Sequence, residues 1–561
     1  MDDLNVVIAG AAGEGVQTVG AALADTVSAQ GYGVFSWQEF ESRIRGGQNS
    51  YSIRISEEVR NAPLMDADIL LALNEGAVKK YEPLLKQEGI LLAEKEMRQR
   101  TIVIPFTKIA EKEFGGIIYA NTIAVGALVA TLGIELDTLN QILARQFADK
   151  GAGVVRANLA AAERGYSLAD QGCIDMCPWG LPKRDMRSYL IGVNEAIPSA
   201  AAYAGCRYMS AYPMSPSTAI ITFLAREEEH LEIFTEQAED EIAAINMAIG
   251  ASYGGARAMT ATSGGGFALM VEGVSLAGMI EAPLVIVVAQ RPGPATGLPT
   301  RTAQGDLLFA INSGHGEFPK MVLAPSDPKD AFHKTVRAFN LADKYQTVVI
   351  MLTDQFLSDS RFTVEDFALE EIGPTVYIAD PQSIKDYKRY RLTADGISPR
   401  LYPGQSEHLV GVDSDEHNEE GHITEDLSKT AVAMVEKRLA KFEGLRNEVS
   451  PPEEVQMEGA DIVLVGWGSS RQAILEGLEL LNKEGIEGGM IHFTEVWPLP
   501  IYTFPRGKKY WTVESNATGQ LARLLRSEYG LDFTGSIRRY DGLPLTGEYI
   551  RRRFNDYSGG V

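Results

Sequence analysis

The chain has 561 residues, a length that predicts roughly three or four domains of ordinary size. Hydrophobic residues make up 45% of it and charged residues 23%, which is the balance of a folded globular protein. The net charge of −23 argues against a general nucleic-acid binder, because phosphate backbones are bound by surfaces rich in Lys and Arg. The most apolar run, Ile117–Ile134, contains Asn121 and two glycines, so we expect a buried helix and not a membrane span.

Cysteine is rare in this sequence. Cys173, Cys177 and Cys206 are too few to bind a [4Fe–4S] cluster through four thiolates, and no His lies near them in sequence to complete a zinc site. We interpret them as ordinary buried cysteines and not as a redox pair. Such sparse use fits a reducing, cytoplasmic compartment. If the protein carries out electron transfer, its cluster must be bound by another chain.

The N-terminal segment predicts a strand, Leu4–Ala9, followed by a glycine-containing turn, GAAGEG, and a helix. A strand, glycine turn and helix in this order can hold an anion at the helix N-terminus. The glycines do not have the G-x-G-x-x-G spacing of dinucleotide-binding loops, so a plain tight turn is an equally good interpretation. Further apolar strands are predicted at Ile69–Leu73 and Thr101–Ile104.

The middle of the chain alternates predicted strands, Ala258–Thr262, Leu284–Ala289 and Thr347–Leu352, with helical patterns. This alternation favours a parallel sheet with both faces covered. The last segment opens with another apolar strand, Ile462–Trp467, followed by a turn and a helix.

Residues 389–426, by contrast, are rich in Gly, Pro, Ser and acids and show little periodicity, which predicts either an ordered crossover or an exposed linker. His408, His417 and His422 lie among its acids, a composition that allows a metal site; we favour a solvated acidic loop.

Three segments of the middle region could carry chemistry. In AYPMSPST, Pro213 and Pro216 make a rigid loop, and the hydroxyls that follow could bind a small anion or simply cap a helix. In EQAEDEIAAINMAIG, acids precede a helix of small apolar residues, where they could compensate the helix dipole or include a buried catalytic carboxylate. The third is the glycine run SGGGF, together with the polar loop that carries Arg291 and Arg301. The glycines would let the backbone approach a ligand closely, and the arginines could bind a carboxylate. A surface turn is the alternative interpretation.

Taken together in chain order, these segments resemble the 2-oxoacid:ferredoxin oxidoreductase family over nearly the whole chain. GAAGEGVQTVG and ESRIRGGQNSYSIRIS resemble its γ domain, although Ala12 stands where the family usually has Gly. AYPMSPST resembles the family's Y-P-I-T-P-S segment, with Ser215 in place of Thr. EDEIAAINMAIGASYGGARAMTATSGGG resembles the pyrimidine-binding half of thiamine diphosphate enzymes. ATGLPTRTAQGDLL and GHGEFP resemble the α part of enzymes with fused γ and α parts, and VESNATGQLARLLR resembles a transketolase C-terminal-like domain.

The resemblance implies an α/β fold of several doubly wound domains. We divide the chain into a γ domain (1–185), a pyrimidine-binding α domain (186–378), a linker or crossover (379–456) and a transketolase C-terminal-like domain (457–561).

It also implies roles for individual residues. Glu241 matches the glutamate that contacts the aminopyrimidine and favours the tautomer that deprotonates the thiazolium carbon; Glu239 is the alternative. Arg301 would pair with the substrate carboxylate, Ser215 would hydrogen-bond it, and Pro213 would lie beside the cofactor. Arg43 and Arg45 are conceivable contacts for CoA phosphates, although we favour an ordinary surface role.

The sequence lacks the G-D-G…N-N pattern that binds magnesium diphosphate in thiamine enzymes. The resemblance therefore implies a β subunit that supplies Mg²⁺, the rest of the thiamine diphosphate site and a [4Fe–4S] cluster, in an (αβ)2 assembly that uses CoA and ferredoxin. We expect 2-oxoglutarate as the substrate, with pyruvate or a branched-chain 2-oxoacid as alternatives. A non-catalytic CoA- or nucleotide-binding scaffold is the alternative of another class; a self-contained thiamine lyase or transketolase is disfavoured by the absent diphosphate pattern.

Overall fold

The computed structural model describes residues 3–41, 47–173 and 176–558. Up to residue 191 its helices and strands are β1 (Leu4–Ala11), α1 (Val16–Ala29), β2 (Gly33–Glu39), β3 (Gln48–Ser56), β4 (Ala67–Ala72), α2 (Glu75–Tyr81), β5 (Leu85–Ala93), β6 (Thr101–Val103), α3 (Phe106–Phe114), α4 (Ala120–Thr131), α5 (Leu136–Gln146), α6 (Ala152–Cys173) and β7 (Tyr189–Ile191).

The middle of the chain alternates helices and strands as its sequence predicts. Its elements are α7 (Val193–Tyr203), β8 (Cys206–Ala211), α8 (Thr218–Arg226), α9 (Glu228–Leu231), β9 (Phe234–Gln237), α10 (Glu241–Tyr253), β10 (Arg257–Thr262), α11 (Gly264–Met279), β11 (Leu284–Gln290), α12 (Leu307–Ile311), β12 (Lys320–Leu323), α13 (Pro328–Tyr345), β13 (Val348–Asp354), α14 (Gln355–Ser358) and β14 (Ser360–Val364).

The C-terminal part begins with a long helix. Its elements are α15 (Thr430–Glu448), β15 (Glu453–Val455), β16 (Ile462–Trp467), α16 (Arg471–Lys483), β17 (Gly488–Phe493), β18 (Glu495–Trp497), β19 (Lys509–Glu514), α17 (Gln520–Tyr529), β20 (Gly535–Arg538) and α18 (Gly547–Ser558).

The chain forms two compact units, Met1–Ile191 with Asp359–Asp366, and Gly192–Ser358 with Phe367–Val561. The first unit is built on an eight-stranded sheet of order β6-β5-β4-β1-β3-β2-β14-β7. Within the apolar run Ile117–Ile134, predicted as a buried helix, Ala120–Thr131 form α4 and its residues from Thr122 onward are all buried. Ile117 and Ile118 precede α4 and are 59% and 74% exposed. Gly126 of α4 lies directly against the backbone of Ala162, so the absence of a side chain there lets α4 and α6 pack closely. Within the described ranges, no helix has the length and apolar character needed to cross a membrane.

The second unit holds a seven-stranded sheet of order β18-β12-β13-β11-β10-β8-β9 and a five-stranded sheet of order β15-β17-β16-β19-β20. From β12 to β9 every neighbouring pair of strands is parallel. The central strands β11 and β13 are nearly continuous apolar runs and fully buried, as expected where helices cover both faces of a sheet. The predicted fold class, α/β with several doubly wound domains, is confirmed.

The interpretation of the cysteines is wrong for two of the three. Cys173 and Cys177 form a disulfide, and only Cys206 is a free, buried thiol. Cys173 is the last residue of α6, and its Cα atom is 4.9 Å from that of Cys177, which is within disulfide range. Sequence spacing alone does not reveal this approach.

In the segment between β14 and α15, Glu420, His422 and Asp426 are exposed, as a solvated acidic loop predicts, but His417 is not. His417 is fully buried, its ring lies 4.1 Å from that of Tyr390, and its Nδ1 hydrogen-bonds the carbonyl of Asp415. The expectation of a solvated acidic loop is therefore wrong for His417, because tertiary packing and not local composition decides its burial. In the described part of the chain, no group of three or more His, Cys, Asp or Glu side chains is arranged to hold a metal ion.

A buried ion cluster joins α15 to Glu281, which lies just before β11 of the seven-stranded sheet. The Glu281 carboxylate accepts hydrogen bonds from Lys437 at 2.7 and 2.8 Å and from Lys441, and all three side chains are about 1% exposed. The two lysines hold the pKa of Glu281 well below its usual range, at about 2, although burial alone would raise it. Folding lowers the pKa of Glu281 below its value in the unfolded chain, which is about 4.3. Ionised Glu281 therefore stabilises the folded chain fully above about pH 4.3, and this stabilisation is lost as the pH falls toward about 2.

We predict that Glu281→Gln lowers the free energy of unfolding by roughly 3–5 kcal/mol, because it leaves two buried ammonium groups without their counter-charge. Glu113→Gln is the control, since it removes one partner of an exposed pair with Arg164 at 2.9 Å and should leave the unfolding midpoint unchanged. Urea denaturation at pH 7 measures both. Equal midpoints for the two variants would contradict this account of the cluster.

Candidate functional site

The candidate residues of the second unit follow the carboxyl ends of neighbouring parallel strands. Pro213 and Ser215 follow β8, Glu241 follows β9, the glycine turn follows β10, and Arg301 lies in the loop after β11. In open parallel sheets the loops at the carboxyl edge form the ligand-binding crevice. The topology therefore brings all four predicted site residues to one edge of the seven-stranded sheet.

Glu241 is the first residue of α10 and is only 3% exposed. The side chain of Asp240 caps the helix by accepting a hydrogen bond from the Ala243 amide at 2.8 Å, so Glu241 is not needed as a cap. Its Oε1 atom is buried and has no hydrogen-bond partner among the described residues. A carboxylate oxygen buried in this way is costly and calls for a partner from outside the chain. Glu239, the alternative candidate, is exposed.

The glycine turn at the start of α11 provides the space for this carboxylate. A methyl group at Gly266 would lie 2.5 Å from Oε1 of Glu241 and would also overlap the hydroxyl of Thr262. Ser263, which precedes α11, is fully buried, and its Oγ likewise has no partner in the described part of the chain. Two unsatisfied polar atoms, Oε1 of Glu241 and Oγ of Ser263, therefore lie close to the N-terminus of α11, whose free amide groups favour a polar or anionic ligand.

The proline loop after β8 is held from the side of β11. The peptide bond between Ser215 and Pro216 is cis, and the carbonyl of Ser215 accepts a hydrogen bond from the Arg291 guanidinium at 2.7 Å. Burial lowers the pKa of Arg291. The hydrogen bond from Arg291 thus holds the backbone at Ser215, two residues after Pro213.

Arg301 lies where the seven-stranded and five-stranded sheets meet. Its side chain packs against Gly542, in the loop after β20, and the Thr302 amide donates to the Gly542 carbonyl at 3.1 Å. Gln304 connects the same sheets, because its amide group donates to the Trp467 carbonyl at 2.9 Å and accepts from the Ser515 amide at 3.0 Å. The loop from 301 to 306 is therefore rigidly placed by both sheets.

Asp306 also lies beside the glycine turn, although nothing in the sequence singles it out. Its carboxylate lies over Gly264, where a methyl group would come within 2.5 Å of Oδ2 and 2.7 Å of Oδ1. Oδ2 is buried and has no hydrogen-bond partner within the described ranges. Burial raises the pKa of Asp306 to about 6. In sequence, an aspartate directly before the short helix LLFAI is typical of a helix cap, so nothing distinguished it.

In the first unit, the side chain of Glu14 fills the glycine turn. Glu14 accepts hydrogen bonds from the Ala11 amide at 2.8 Å and from Asn74 at 2.5 Å, so a carboxylate of the chain occupies the turn. Asn121 lies against Gly15, at the N-terminus of α1. This favours the plain tight turn over the anion-binding loop. Arg43 and Arg45, considered for CoA, lie outside the described residues.

Comparison with known families gives two matches. The family described as "Pyruvate flavodoxin/ferredoxin oxidoreductase, thiamine diP-bdg" matches residues 199–437, which include every predicted site residue of the second unit. The family described as "Pyruvate ferredoxin/flavodoxin oxidoreductase" matches residues 5–168.

Individual relatives match over nearly the full length. The chain is 31% identical over 615 residues to a 2-oxoacid:ferredoxin oxidoreductase subunit alpha from Sulfolobus sp, covering 97% of this chain and 95% of the relative. It is 36% identical over 316 residues to the 2-oxoglutarate synthase subunit KorA of Archaeoglobus fulgidus, covering 56% of this chain and 83% of that one. Among solved structures it is similar to the 2-oxoglutarate:ferredoxin oxidoreductase from Magnetococcus marinus with 2-oxoglutarate, coenzyme A and succinyl-CoA bound, with a TM-score of 0.90, 32% identity and 99% coverage of each chain.

The glycine turn leads to a testable difference between two adjacent positions. We predict that Gly266→Ala lowers the free energy of unfolding by about 1–3 kcal/mol, because the new methyl group overlaps Glu241 and Thr262. Gly265→Ala is the matched control: its methyl group would approach nothing closer than the Ala295 carbonyl at 3.7 Å, so it should be neutral or slightly stabilising. Equilibrium unfolding in urea checks both, and equal stability of the two variants would contradict the close packing of the turn.

Proposed function

The chain belongs to the 2-oxoacid:ferredoxin oxidoreductase family, and from that premise we propose that it is the fused γ and α subunit of an enzyme converting 2-oxoglutarate and CoA to succinyl-CoA and carbon dioxide, or running in reverse. Ferredoxin exchanges the electrons. The observation that carries the proposal is the buried, partnerless Oε1 of Glu241 beside a glycine turn, inside the region that matches a thiamine diphosphate-binding family. The choice of substrate is supported by the relatives named for 2-oxoglutarate.

The residues present fit the pyrimidine half of thiamine diphosphate. Bound there, thiamine diphosphate would supply a nucleophilic carbon and an electron sink for decarboxylation of the 2-oxoacid. Glu241 would hold a proton between its Oε1 and the aminopyrimidine ring, and the burial of its side chain would strengthen that hydrogen bond. Pro213 would contact the cofactor through its backbone.

Ser215 and Arg301 would bind the 2-oxoacid carboxylate. A guanidinium can form two parallel hydrogen bonds with a carboxylate, which fixes the orientation of the substrate. The fixed backbones of the proline loop and of the loop from 301 to 306 would keep both groups in place without reorganisation. We propose CoA as the acceptor of the acyl group, because the relative from Magnetococcus marinus is described with CoA and succinyl-CoA bound.

The proposed enzyme requires a β subunit. Neither the diphosphate-binding pattern nor four cluster cysteines occur in this sequence, so Mg²⁺, the diphosphate contacts and a [4Fe–4S] cluster would be provided by that partner. Its relatives are named as alpha subunits, which places the chain in a multi-subunit enzyme.

The exposed face of α10 is a suitable docking surface for the partner. From Ile242 to Tyr253 this helix has no charged residue, and Ile242 and Met247 are 50% and 37% exposed. Gly250 lies on that face, and a methyl group there would meet no atom within 4 Å, so packing within the chain does not explain a helix-weakening glycine. Close approach of a partner helix would explain it.

We also propose that the enzyme is an (αβ)2 assembly located in the cytoplasm, and that this chain is divided into the four segments given above.

The central prediction is that the complex, purified natively and anaerobically with its partner, reduces methyl viologen only when both CoA and 2-oxoglutarate are present. Pyruvate and branched-chain 2-oxoacids are assayed alongside it. Glu241→Gln should lower the rate roughly a hundredfold or more, because it removes the proton-holding group. Glu239→Gln is the control, since Glu239 is exposed two residues away and should retain the wild-type rate.

The outcomes separate the alternatives. Reduction with pyruvate or a branched-chain acid in place of 2-oxoglutarate would change the substrate and keep the reaction. No reduction with any acid, from protein that retains its cluster and thiamine diphosphate, would favour the non-catalytic CoA- or nucleotide-binding scaffold.

A further inference from the structure

Several hydrogen bonds hold the backbone around Asp306, although its side chain makes no hydrogen bond in the described chain. Its amide donates to the Gln290 side chain at 3.0 Å, the carbonyl of Gly305 accepts from Gln520 at 2.6 Å, and the Leu308 amide donates to Gln520 at 3.0 Å. These bonds fix the backbone on both sides of Asp306.

The carboxylate, in contrast, is turned away from the helix it precedes. Asp306 is the residue before α12, yet its side chain does not cap that helix. It lies over Gly264 instead, with Oδ2 buried and without a partner in the described ranges. An aspartate that gives up a favourable cap for an unsatisfied position is explained if a ligand completes its hydrogen bonding.

Asp306 and Glu241 contact the same glycine turn. Asp306 lies against Gly264 and Glu241 against Gly266. Residues two apart in a helix project about 200° from each other, with Cα atoms about 5.4 Å apart, so the two carboxylates flank the turn from different sides. Both have a buried oxygen without a partner in the part of the chain that the structure describes.

We propose that Asp306 is a second cofactor-binding carboxylate, which hydrogen-bonds the aminopyrimidine of thiamine diphosphate across the glycine turn from Glu241. An aminopyrimidine carries nitrogens that hydrogen-bond on opposite sides of its ring, so one ring can meet both carboxylates. The raised pKa of Asp306, about 6 as a result of burial alone, fits a carboxyl group whose side of the site is dry. This inference rests on the proposed function, because it requires thiamine diphosphate in this pocket.

The test measures thiamine diphosphate affinity of the complex with its partner, by calorimetry with Mg²⁺ present, together with the near-ultraviolet circular dichroism of the bound aminopyrimidine. Asp306→Ala should weaken binding about tenfold and change the circular dichroism signal, whereas Asp306→Asn, which retains a hydrogen-bonding group of the same shape, should restore affinity to within about twofold. Gly264→Ala displaces the carboxylate without removing it and should resemble Asp306→Ala.

Asp330→Ala is the matched control. Asp330 is also a carboxyl group whose pKa burial raises to about 6, but it accepts from the Ser326 amide at 2.9 Å, away from the glycine turn. Urea unfolding of every variant separates loss of folding from loss of binding. Wild-type affinity and signal in folded Asp306→Ala or Gly264→Ala would overturn the inference. If the wild-type complex does not bind thiamine diphosphate, the proposed function fails as well; if only Glu241→Gln loses binding, the proposed function stands and the role of Asp306 falls.

Discussion

The organisation of the site depends on one constraint, the burial of a carboxylate oxygen that the chain itself does not satisfy. A buried carboxylate without a partner costs several kcal/mol, and a folded chain normally removes such a cost by turning the side chain to solvent or pairing it. Here the Asp240 cap fixes the start of α10, and the glycines of the next helix leave just enough space for Glu241. The unsatisfied oxygen is therefore built into the fold, and the proposed ligand, which carries a hydrogen-bonding ring, would give it a partner.

The surrounding sheets explain how such a site can be held open. Parallel strands bring loops from four different parts of the chain to one edge, and the five-stranded sheet fixes the longest of these loops from outside through Gln304 and Arg301. A second carboxylate, that of Asp306, is fixed by the same loop. The ion cluster around Glu281 anchors α15, which begins after the long crossover.

Much of this arrangement could be predicted from the sequence, because strand and helix periodicity and the order of five motifs are local properties. The sequence places Glu241 at the start of a helix, but its burial and the exposure of Glu239 depend on the residue at which α10 begins, which sequence patterns fix only to within one or two residues. The sequence does not single out Asp306, because a helix cap explains an aspartate at that position equally well. The disulfide of Cys173 and the burial of His417 depend on tertiary contacts, which composition does not encode.

The central claim is that this chain holds half of a thiamine diphosphate site, which a partner completes. Equilibrium dialysis of thiamine diphosphate with Mg²⁺ tests it most directly, once with this chain alone and once with the natively purified complex. The account predicts binding by the complex, its loss in the complex carrying Glu241→Gln, and no saturable binding by the chain alone, because the sequence has no diphosphate-binding pattern. Tight, Mg²⁺-dependent binding by the isolated chain, or none by the complex, would contradict it.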